Sequence, residues 1–330
     1  MSNVLIGFNP TGYADQAVAI LKKAGHKVTT LKKTHNIPQA ELLKAAKGRD
    51  AVLPLLSNRI DEAFFLAAGP RLKIVANYAV GFDNVDLVAA KKHHVVITNT
   101  PCEEVNESVA EHTFALMIAL AHRVAEAHIF TTHEKYRGWM PDLLLGMNLK
   151  GRTLGLIGAG RIGAAVAERA VKGFGMKVMY SDMNKNEFIE KQYGAKKTTM
   201  ENLLKHADFV SLHVPLLPST RHLISTKQIA MMKKTAYLIN TARGPVVDEH
   251  ALAKALKAKR IAGAGIDVFE CEPSIACNVT DNKILRSLPN AVLTPHIASA
   301  TFEAREAMAR VAAQNIVAVL AGKKPLTPAR

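Results

Sequence analysis

Three residues in the C-terminal half of the sequence have side chains suited to chemistry on an oxo acid. Arg243 follows an apolar run, Glu272 precedes a proline and His296 follows one. A guanidinium keeps its charge and pairs with both oxygens of a carboxylate or polarises a carbonyl. An imidazole beside a carboxylate has its pKa raised towards neutral pH and can deliver a proton. Each residue alone also fits a turn or a helix cap, so the hypothesis depends on their joint placement.

The segment Gly158–Gly163 reads Gly-Ala-Gly-Arg-Ile-Gly and fits the pattern G-x-G-x-x-G. It follows the apolar run Thr153–Ile157 and precedes the helical pattern Ala164–Val171, which is the context that a dinucleotide-binding turn requires. Gly158 allows the tight turn, Gly160 the approach of a pyrophosphate, and Gly163 close packing of helix and strand. The amides around Arg161 and Ile162 then face the phosphates.

The next predicted strand, Lys177–Asp182, ends in an acidic residue about 20 residues beyond the glycines. The Asp182 carboxylate can accept hydrogen bonds from ribose hydroxyls and would repel a 2′-phosphate. The sequence therefore favours NAD over NADP. The alternative is a surface turn with no cofactor role.

The elements that would position these residues alternate between short β-branched runs and helical patterns. Such alternation predicts βαβ units and parallel sheets, with ligand-binding loops at the carboxyl ends of the strands. The predicted strands are Val4–Phe8, Lys27–Leu31, Ala51–Leu55, Lys73–Ala76, Val95–Thr98, Thr153–Ile157, Lys177–Asp182, Phe209–Val214, Ala236–Thr241, Gly263–Val268 and Val292–Thr294. One long apolar helix is predicted over Ser108–Phe130 and a C-terminal helix over Thr301–Leu320.

The composition is that of a globular protein, with 48% hydrophobic and 22% charged residues in 330. No apolar run is long enough to cross a bilayer, and the N-terminus lacks the pattern of a signal peptide. The net charge of +15 comes from dispersed lysine pairs, so we expect attraction of anionic ligands rather than nucleic-acid binding. Three scattered cysteines predict no disulfide framework, no metal site and a cytoplasmic location.

The glycine motif, Asn240–Gly244, Gly265–Pro273 and Leu293–Ser299 together resemble the D-isomer-specific 2-hydroxyacid dehydrogenase family over nearly the whole chain. The resemblance implies an α/β fold of two doubly wound parallel-sheet domains. A Rossmann NAD-binding domain (residues 100–296) would be inserted in a flavodoxin-like substrate domain (residues 1–99 and 297–330). The cleft between two such domains would be the ligand site.

The resemblance also implies roles for individual residues. Arg243 would bind and polarise the substrate, His296 would transfer the proton, and Glu272 would orient His296. Asp267 would hold the nicotinamide carboxamide. The substrate would further contact Leu56 and the backbone amides of Val80 and Gly81. The remaining cofactor contacts would be His213, Val214, Pro215, Thr220, Thr241, Ala242 and Ser299, and Arg243 and His296 would contact the cofactor as well.

Within the family, Leu55–Ile60 and Ala262–Pro273 look most like glyoxylate/hydroxypyruvate reductases. Some of those enzymes carry basic residues for NADPH where this chain has Asp182, and the loop Gly138–Asp142 varies with substrate. D-lactate dehydrogenase or another D-2-hydroxyacid dehydrogenase remains an alternative, as does an NADH-sensing, corepressor-like binding protein. The resemblance also implies a homodimer through residues 108–130. His112, within that helix, is interpreted as a packed or interface histidine rather than a catalyst.

Overall fold

A computed structural model describes residues 1–33, 37–272 and 283–329. The chain forms two compact units. Unit 1 is built from Met1–Val105, Glu272 and the segment that begins at Ala300, and unit 2 from Asn106–Cys271 and the segment that ends at Ser299. Each unit contains one parallel β-sheet with helices packed beside it.

The sheet of unit 1 has five strands. They are β1 (Asn3–Ile6), β2 (Lys27–Thr30), β3 (Ala51–Leu53), β4 (Ile74–Ala76) and β5 (Val96–Thr98). The helices between them are α1 (Asp15–Lys23), α2 (Gln39–Ala46), α3 (Glu62–Ala68) and α4 (Leu87–Lys92). All strand pairs are parallel in the order β2-β1-β3-β4-β5, which is the flavodoxin-like order.

The sheet of unit 2 has seven strands. They are β6 (Thr153–Ile157), β7 (Lys177–Ser181), β8 (Lys196–Lys197), β9 (Phe209–Leu212), β10 (Tyr237–Asn240), β11 (Gly263–Ile266) and β12 (Ala291–Leu293). The helices are α5 (Glu103–Ala121), α6 (Val124–Thr132), α7 (Arg161–Glu168), α8 (Glu187–Tyr193), α9 (Met200–His206), α10 (Thr226–Met231), α11 (Glu249–Lys257) and α12 (Lys283–Ser287). The parallel order β12-β11-β10-β9-β6-β7-β8 is that of a Rossmann sheet with one added strand.

Alternate residues of the central strands of unit 2 enter two separate cores. In β10, Leu238 packs with residues of α9–α11, whereas Ile239 packs with residues of α5 and α7. Since successive side chains of a strand point to opposite faces, helices cover both faces of this sheet. The predicted fold class is thereby confirmed.

The last helix of the chain, α13 (Phe302–Leu320), contacts α1 and β4 of unit 1. Its N-terminus is capped by the Thr301 side chain, which accepts a hydrogen bond from the Ala304 amide. The sequence just after it, up to Ala329, lies along β5, where the Ala329 amide donates to the Ile97 carbonyl at 3.0 Å.

Helix α5 packs directly on β11 because that strand contains two glycines. A Cβ atom at Gly265 would lie only 2.9 Å from the Leu116 Cβ, and one at Gly263 would lie 3.2 Å from a methyl of Leu120. Both distances are below normal van der Waals contact, so larger residues here would push the helix away. The close packing brings the polar residues of α5 to the carboxyl ends of the neighbouring strands.

Two helix predictions were wrong in detail. The single helix over Ser108–Phe130 is in fact α5 and α6, bent by 60°, because Arg123 adopts a left-handed φ of 54° and its guanidinium pairs with Glu126. The helix over Ala164–Val171 already begins at Arg161 and runs into a π-helical turn, Arg169–Gly173. The predicted strands are present, with ends that differ by at most two residues, but β8 was missed because it is two exposed lysines.

No single helix in residues 1–33, 37–272 and 283–329 has the length and hydropathy of a membrane span. Helices α5 and α6 together have that length and hydropathy, but they are bent relative to each other by 60°.

Candidate functional site

The glycine turn of unit 2 connects β6 to α7 and is tightly packed. Gly158 has a φ of 93°, and its amide donates to the Ser181 carbonyl of β7 at 2.9 Å. A Cβ atom on Gly158 would lie 2.5 Å from the His213 carbonyl oxygen, and one on Gly163 would lie 2.4 Å from the Gly158 carbonyl oxygen. These two positions therefore require glycine for the conformation and the packing of the turn.

Gly160 differs, since a Cβ atom there would meet no atom within 4 Å among the described residues. Its φ of −73° is also open to any residue. Gly160 is the N-cap of α7, and no side chain caps the helix there. The amides of the first turn, which includes Arg161 and Ile162, therefore remain available to a phosphate. Gly160 has no Cβ atom to block the space over the N-terminus of α7, and the helix has no side-chain cap there. A dinucleotide pyrophosphate fits this arrangement.

Asp182 directly follows β7 and lies beside the glycine turn. Its carboxylate accepts hydrogen bonds from the Ala159 amide at 2.7 Å and from the Asn184 amide at 3.0 Å. The Asn186 side chain donates to the Ala159 carbonyl at 2.6 Å, so both peptide groups that flank the Ala159 Cα are held. Asp182 thus stabilises the turn itself, and its predicted contact with a ribose stays a prediction.

The loop after β9 contains the residues predicted to border the adenine. The Thr220 hydroxyl donates to the Pro215 carbonyl at 2.6 Å and closes the loop, with Val214 partly buried within it. The His213 imidazole lies 2.9 Å from the Ser211 hydroxyl. Burial lowers the pKa of His213 to about 4, so this side chain is neutral at physiological pH.

Arg243 lies in a turn that one buried asparagine closes. The Asn240 side chain accepts a hydrogen bond from the Ala242 amide at 3.1 Å and donates to the Arg243 carbonyl at 2.9 Å. The guanidinium of Arg243 donates to the Ala242 carbonyl at 2.8 Å. Thr241, which with Ala242 is a predicted cofactor contact here, is buried, and its hydroxyl lies 3.1 Å from that of Thr113 on α5.

The segment after Arg243 also meets the segment that follows β11. A Cβ atom at Gly244 would overlap the Phe269 carbonyl group and would lie 2.5 Å from the Glu270 amide nitrogen. The Glu270 carboxylate in turn forms a hydrogen bond with the His222 imidazole. The ends of β10 and β11 are therefore in direct backbone contact.

Asp267, just after β11, is fully buried and anchors the segment after β12. Its carboxylate accepts hydrogen bonds from the Thr294 hydroxyl at 2.6 Å, the Ile297 amide at 2.9 Å and the Ala298 amide at 2.8 Å. Burial alone would raise the pKa of Asp267, but these donors, with His112, outweigh it and lower that pKa. The predicted contact of Asp267 with a nicotinamide carboxamide stays a prediction.

His296 lies in the segment that Asp267 holds. Its amide donates to the Asp267 carbonyl at 2.8 Å, and its φ of 55° is in the left-handed region that few non-glycine residues adopt. A strained residue of this kind persists only where its neighbours hold it, and such residues cluster at functional sites. Ser299 follows the anchored segment and is partly exposed.

Helix α5 supplies polar residues that the sequence analysis did not include in the site. The Ser108 hydroxyl donates to the Ala298 carbonyl at 2.8 Å. The His112 Nε2 lies 2.9 Å from the Thr294 hydroxyl and 3.4 Å from the Asp267 carboxylate. Because the Thr294 proton goes to Asp267, His112 must be the donor to Thr294. The sequence did contain a pattern that could have indicated this. Ser108, His112 and Thr113 are polar residues at helical spacing within a mostly apolar helix.

Glu272 is partly buried after β11, and its pairing with His296 stays a prediction. The preceding residue gives a correction, because Cys271 is disulfide-bonded whereas Cys102 is a free thiol. The sequence analysis expected no disulfide framework and took a reducing cytoplasm as the simplest location, and even one bonded cysteine weakens that argument. Cysteine content therefore no longer supports the cytoplasmic location.

The predicted substrate residues of unit 1 lie at the carboxyl edge of its sheet. Leu56 follows β3, and the loop with Val80 and Gly81 follows β4. A bridge between Leu55 and Tyr78 joins the two segments. All three predicted contact residues are partly exposed.

Comparison with known proteins agrees with this geometry. The model of the D-isomer specific 2-hydroxyacid dehydrogenase NAD binding domain matches residues 114–298. A glyoxylate reductase from Thermococcus litoralis is 46% identical over 87% of this chain and 86% of its own. The chain belongs to the D-isomer specific 2-hydroxyacid dehydrogenase family.

Solved structures of relatives share the whole fold. The TT0316 protein from Thermus thermophilus superposes with a TM-score of 0.89 at 40% identity, over 99% of this chain and 100% of that one. A D-lactate dehydrogenase from Aquifex aeolicus, complexed with NAD and lactic acid, gives a TM-score of 0.83 at 34% identity, over 97% and 96%. This chain is accordingly an NAD-dependent oxidoreductase of 2-oxo and 2-hydroxy acids.

We predict that Gly160→Ala and Gly163→Ala have opposite phenotypes. Gly160→Ala meets no protein atom, so Tm should stay unchanged while the Kd for NADH rises at least about tenfold, because the methyl group occupies the approach of the pyrophosphate. Gly163→Ala clashes with the Gly158 carbonyl and should cost about 1–3 kcal/mol of stability. Thermal unfolding and NADH fluorescence titration measure both. Unchanged NADH affinity in Gly160→Ala would contradict the assignment.

We predict that His213 contributes to acid lability. Its folded pKa of about 4 lies below the unfolded value near 6.5, so the unfolded state binds more protons and stability is lost as the pH falls from 6.5 to 4. The loss should reach up to about 3 kcal/mol at pH 4. Urea unfolding of wild type and His213→Gln between pH 4 and pH 7.5 should show the variant gaining relative stability towards low pH. A difference independent of pH would refute this.

Proposed function

We propose that this chain reduces glyoxylate, or a close homologue such as hydroxypyruvate, to the D-2-hydroxy acid with NADH. The observation that carries the proposal is the adjacency of β10, β11 and β12, because Arg243 and His296 follow β10 and β12, which both pair with β11 in one parallel sheet. The carboxyl edge of such a sheet is where ligands bind. The relative from Thermococcus litoralis, named a glyoxylate reductase, supports this substrate class.

The proposed roles follow from the chemistry of each group. The Arg243 guanidinium and the amides of Val80 and Gly81 bind the substrate carboxylate. The His296 imidazolium donates a proton to the oxygen that becomes the hydroxyl, and Glu272 stabilises the protonated ring. When bound, NADH supplies the hydride that reduces the carbonyl carbon.

A preference for NADH over NADPH rests on Asp182. Its carboxylate is fixed beside the glycine turn by the Ala159 amide, so the negative charge cannot move away from an added phosphate. Nearby lysines are engaged elsewhere: Lys185 pairs with Glu190, and Lys197 donates to the Met183 carbonyl. A 2′-phosphate would therefore meet a fixed negative charge.

We also propose that the protein is a homodimer that associates through α6. This helix is apolar, yet none of its residues is buried in the single chain. Val124 and Ile129 have about half of their surface exposed, and Trp139 of the following loop is 82% exposed. An apolar surface of this kind is typical of a protein interface. We place the dimer in the cytoplasm, where metabolism regenerates NADH.

The proposal predicts turnover in a spectrophotometric assay of NADH oxidation. The purified protein should oxidise NADH faster with glyoxylate or hydroxypyruvate than with pyruvate or phenylpyruvate, and faster than it oxidises NADPH. A higher kcat/KM with pyruvate would favour a D-lactate dehydrogenase instead. No turnover with any 2-oxo acid would overturn the proposed function.

The control for this assay is His296→Gln, which keeps a polar side chain but cannot act as a proton donor of suitable pKa. We expect kcat to fall by about two to four orders of magnitude, the usual contribution of general acid catalysis. The Kd for NADH should stay within about twofold of wild type. Normal turnover in this variant would remove His296 from the mechanism.

The dimer predicts a mass of twice the 35.8 kDa chain in light scattering. Ile129→Asp places a charge in the apolar surface of α6 and should give the monomer mass, because burying an unpaired carboxylate is costly. The matched control is Phe188→Asp, which changes a similarly exposed apolar residue on α8 and should leave the dimer intact. A monomeric wild type at micromolar concentration would contradict the dimer.

A further inference from the structure

The loop after β4 is held by three consecutive backbone carbonyls, those of residues Ala79–Gly81. Each accepts one hydrogen bond from another part of unit 1. The donors are, in order, the Thr100 amide at 2.9 Å, the Asn99 side chain at 2.7 Å and the Asn77 side chain at 3.0 Å. Three successive carbonyls bound on one side leave the loop little freedom to rotate its peptide planes.

The Asn77 donor is itself fixed by a buried pair of amide side chains. Asn77 donates to the Asn84 side-chain oxygen at 3.0 Å, and Asn84 donates back to that of Asn77 at 3.1 Å. The second hydrogen of Asn84 goes to the Asn58 carbonyl at 2.9 Å. Asn77 is fully buried and Asn84 is 8% exposed. Both ends of the segment from residue 77 to residue 84 are therefore tied together.

The opposite side of the loop carries amide groups that donate to no described residue of the protein. The amides of Val80 and Gly81 have no hydrogen-bond partner in residues 1–33, 37–272 and 283–329. In a trans peptide the N–H of one residue points opposite to the carbonyl of the residue before it. The bond to Ala79 thus aims the Val80 amide away from the protein, and the Asn99 bond does the same for Gly81.

We infer that Asn99 and Asn77 are positioning residues that hold the amides of Val80 and Gly81 ready for the substrate carboxylate. The inference rests on the proposed function, which assigns that carboxylate to these amides. Donors that are already oriented before binding cost no reorganisation when the anion arrives. Both asparagines act through the loop, because each donates to one of its carbonyls.

Asn99 is the better test position. Removing the Asn77 side chain would leave buried polar atoms of Asn84 unpaired, at a cost of about 1–3 kcal/mol in stability, and the variant could fail to fold. Asn99 is only partly buried, and its backbone bonds to Thr327 do not involve the side chain. Asn99→Ala therefore removes the hydrogen bond to the Val80 carbonyl and leaves the backbone bonds of residue 99 in place.

The experiment compares wild type, Asn99→Ala and Asn290→Ala with NADH and either glyoxylate or its methyl ester. Asn290 is the matched control, a partly buried asparagine of unit 2 whose side chain donates to the Leu256 and Ala262 carbonyls. We expect Asn99→Ala to raise the KM for glyoxylate about tenfold, the effect of losing about one oriented hydrogen bond to a charge. The KM for NADH should not change, and Asn290→Ala should resemble wild type.

The methyl ester separates positioning from a general structural effect. It lacks the carboxylate, so Asn99→Ala and wild type should reduce it with equal kcat/KM. An unchanged KM for glyoxylate in Asn99→Ala, or an equal loss with acid and ester, would overturn the inference. Failure of wild type to reduce any 2-oxo acid would instead overturn the proposed function.

Discussion

The Asp267 carboxylate lies wholly inside unit 2, and an ionised group in that position costs several kcal/mol unless donors surround it. The donors are the Thr294 hydroxyl and the amides of Ile297 and Ala298. These three donors reach the Asp267 carboxylate because the chain after β12 turns towards the end of β11. His296 lies inside that turn, which explains its left-handed backbone. The need to satisfy one buried charge therefore determines where the candidate proton donor sits.

Unit 1 also has a loop whose backbone is fixed by hydrogen bonds, but here the groups that hold it are neutral. The carbonyls of Ala79–Gly81 accept hydrogen bonds from the protein, and the amides of Val80 and Gly81 point away from those donors. Around Asp267 the amides of His296, Ile297 and Ala298 are bound by that residue, so the backbone that carries the His296 side chain is held in place. In both places hydrogen bonds within the protein hold the backbone. The groups proposed to meet the ligand are therefore oriented before the ligand binds. Preorganisation of this kind is the usual source of electrostatic catalysis.

Local patterns in the sequence were sufficient to predict the strands, the glycine turn and the fold class, because strand period and glycine spacing are properties of neighbouring residues. The break at Arg123 could not be predicted in this way, since a left-handed arginine is held by its own pairing with Glu126. His112 was assigned to packing because its partner Thr294 lies 182 residues further along the chain. Asn77 and Asn84 were missed because a buried amide pair has no sequence pattern.

The contacts of the acids after β11 also bear on the partner of His296. The Asp267 side chain accepts bonds from Thr294 and two backbone amides, and its carbonyl accepts one from the His296 amide, so it holds the backbone around residue 296. Glu270 pairs with His222. Asp267 and Glu270 thus both hold the loops at this end of the sheet. Glu272, further along the same segment, is the carboxylate proposed to act beside the His296 ring.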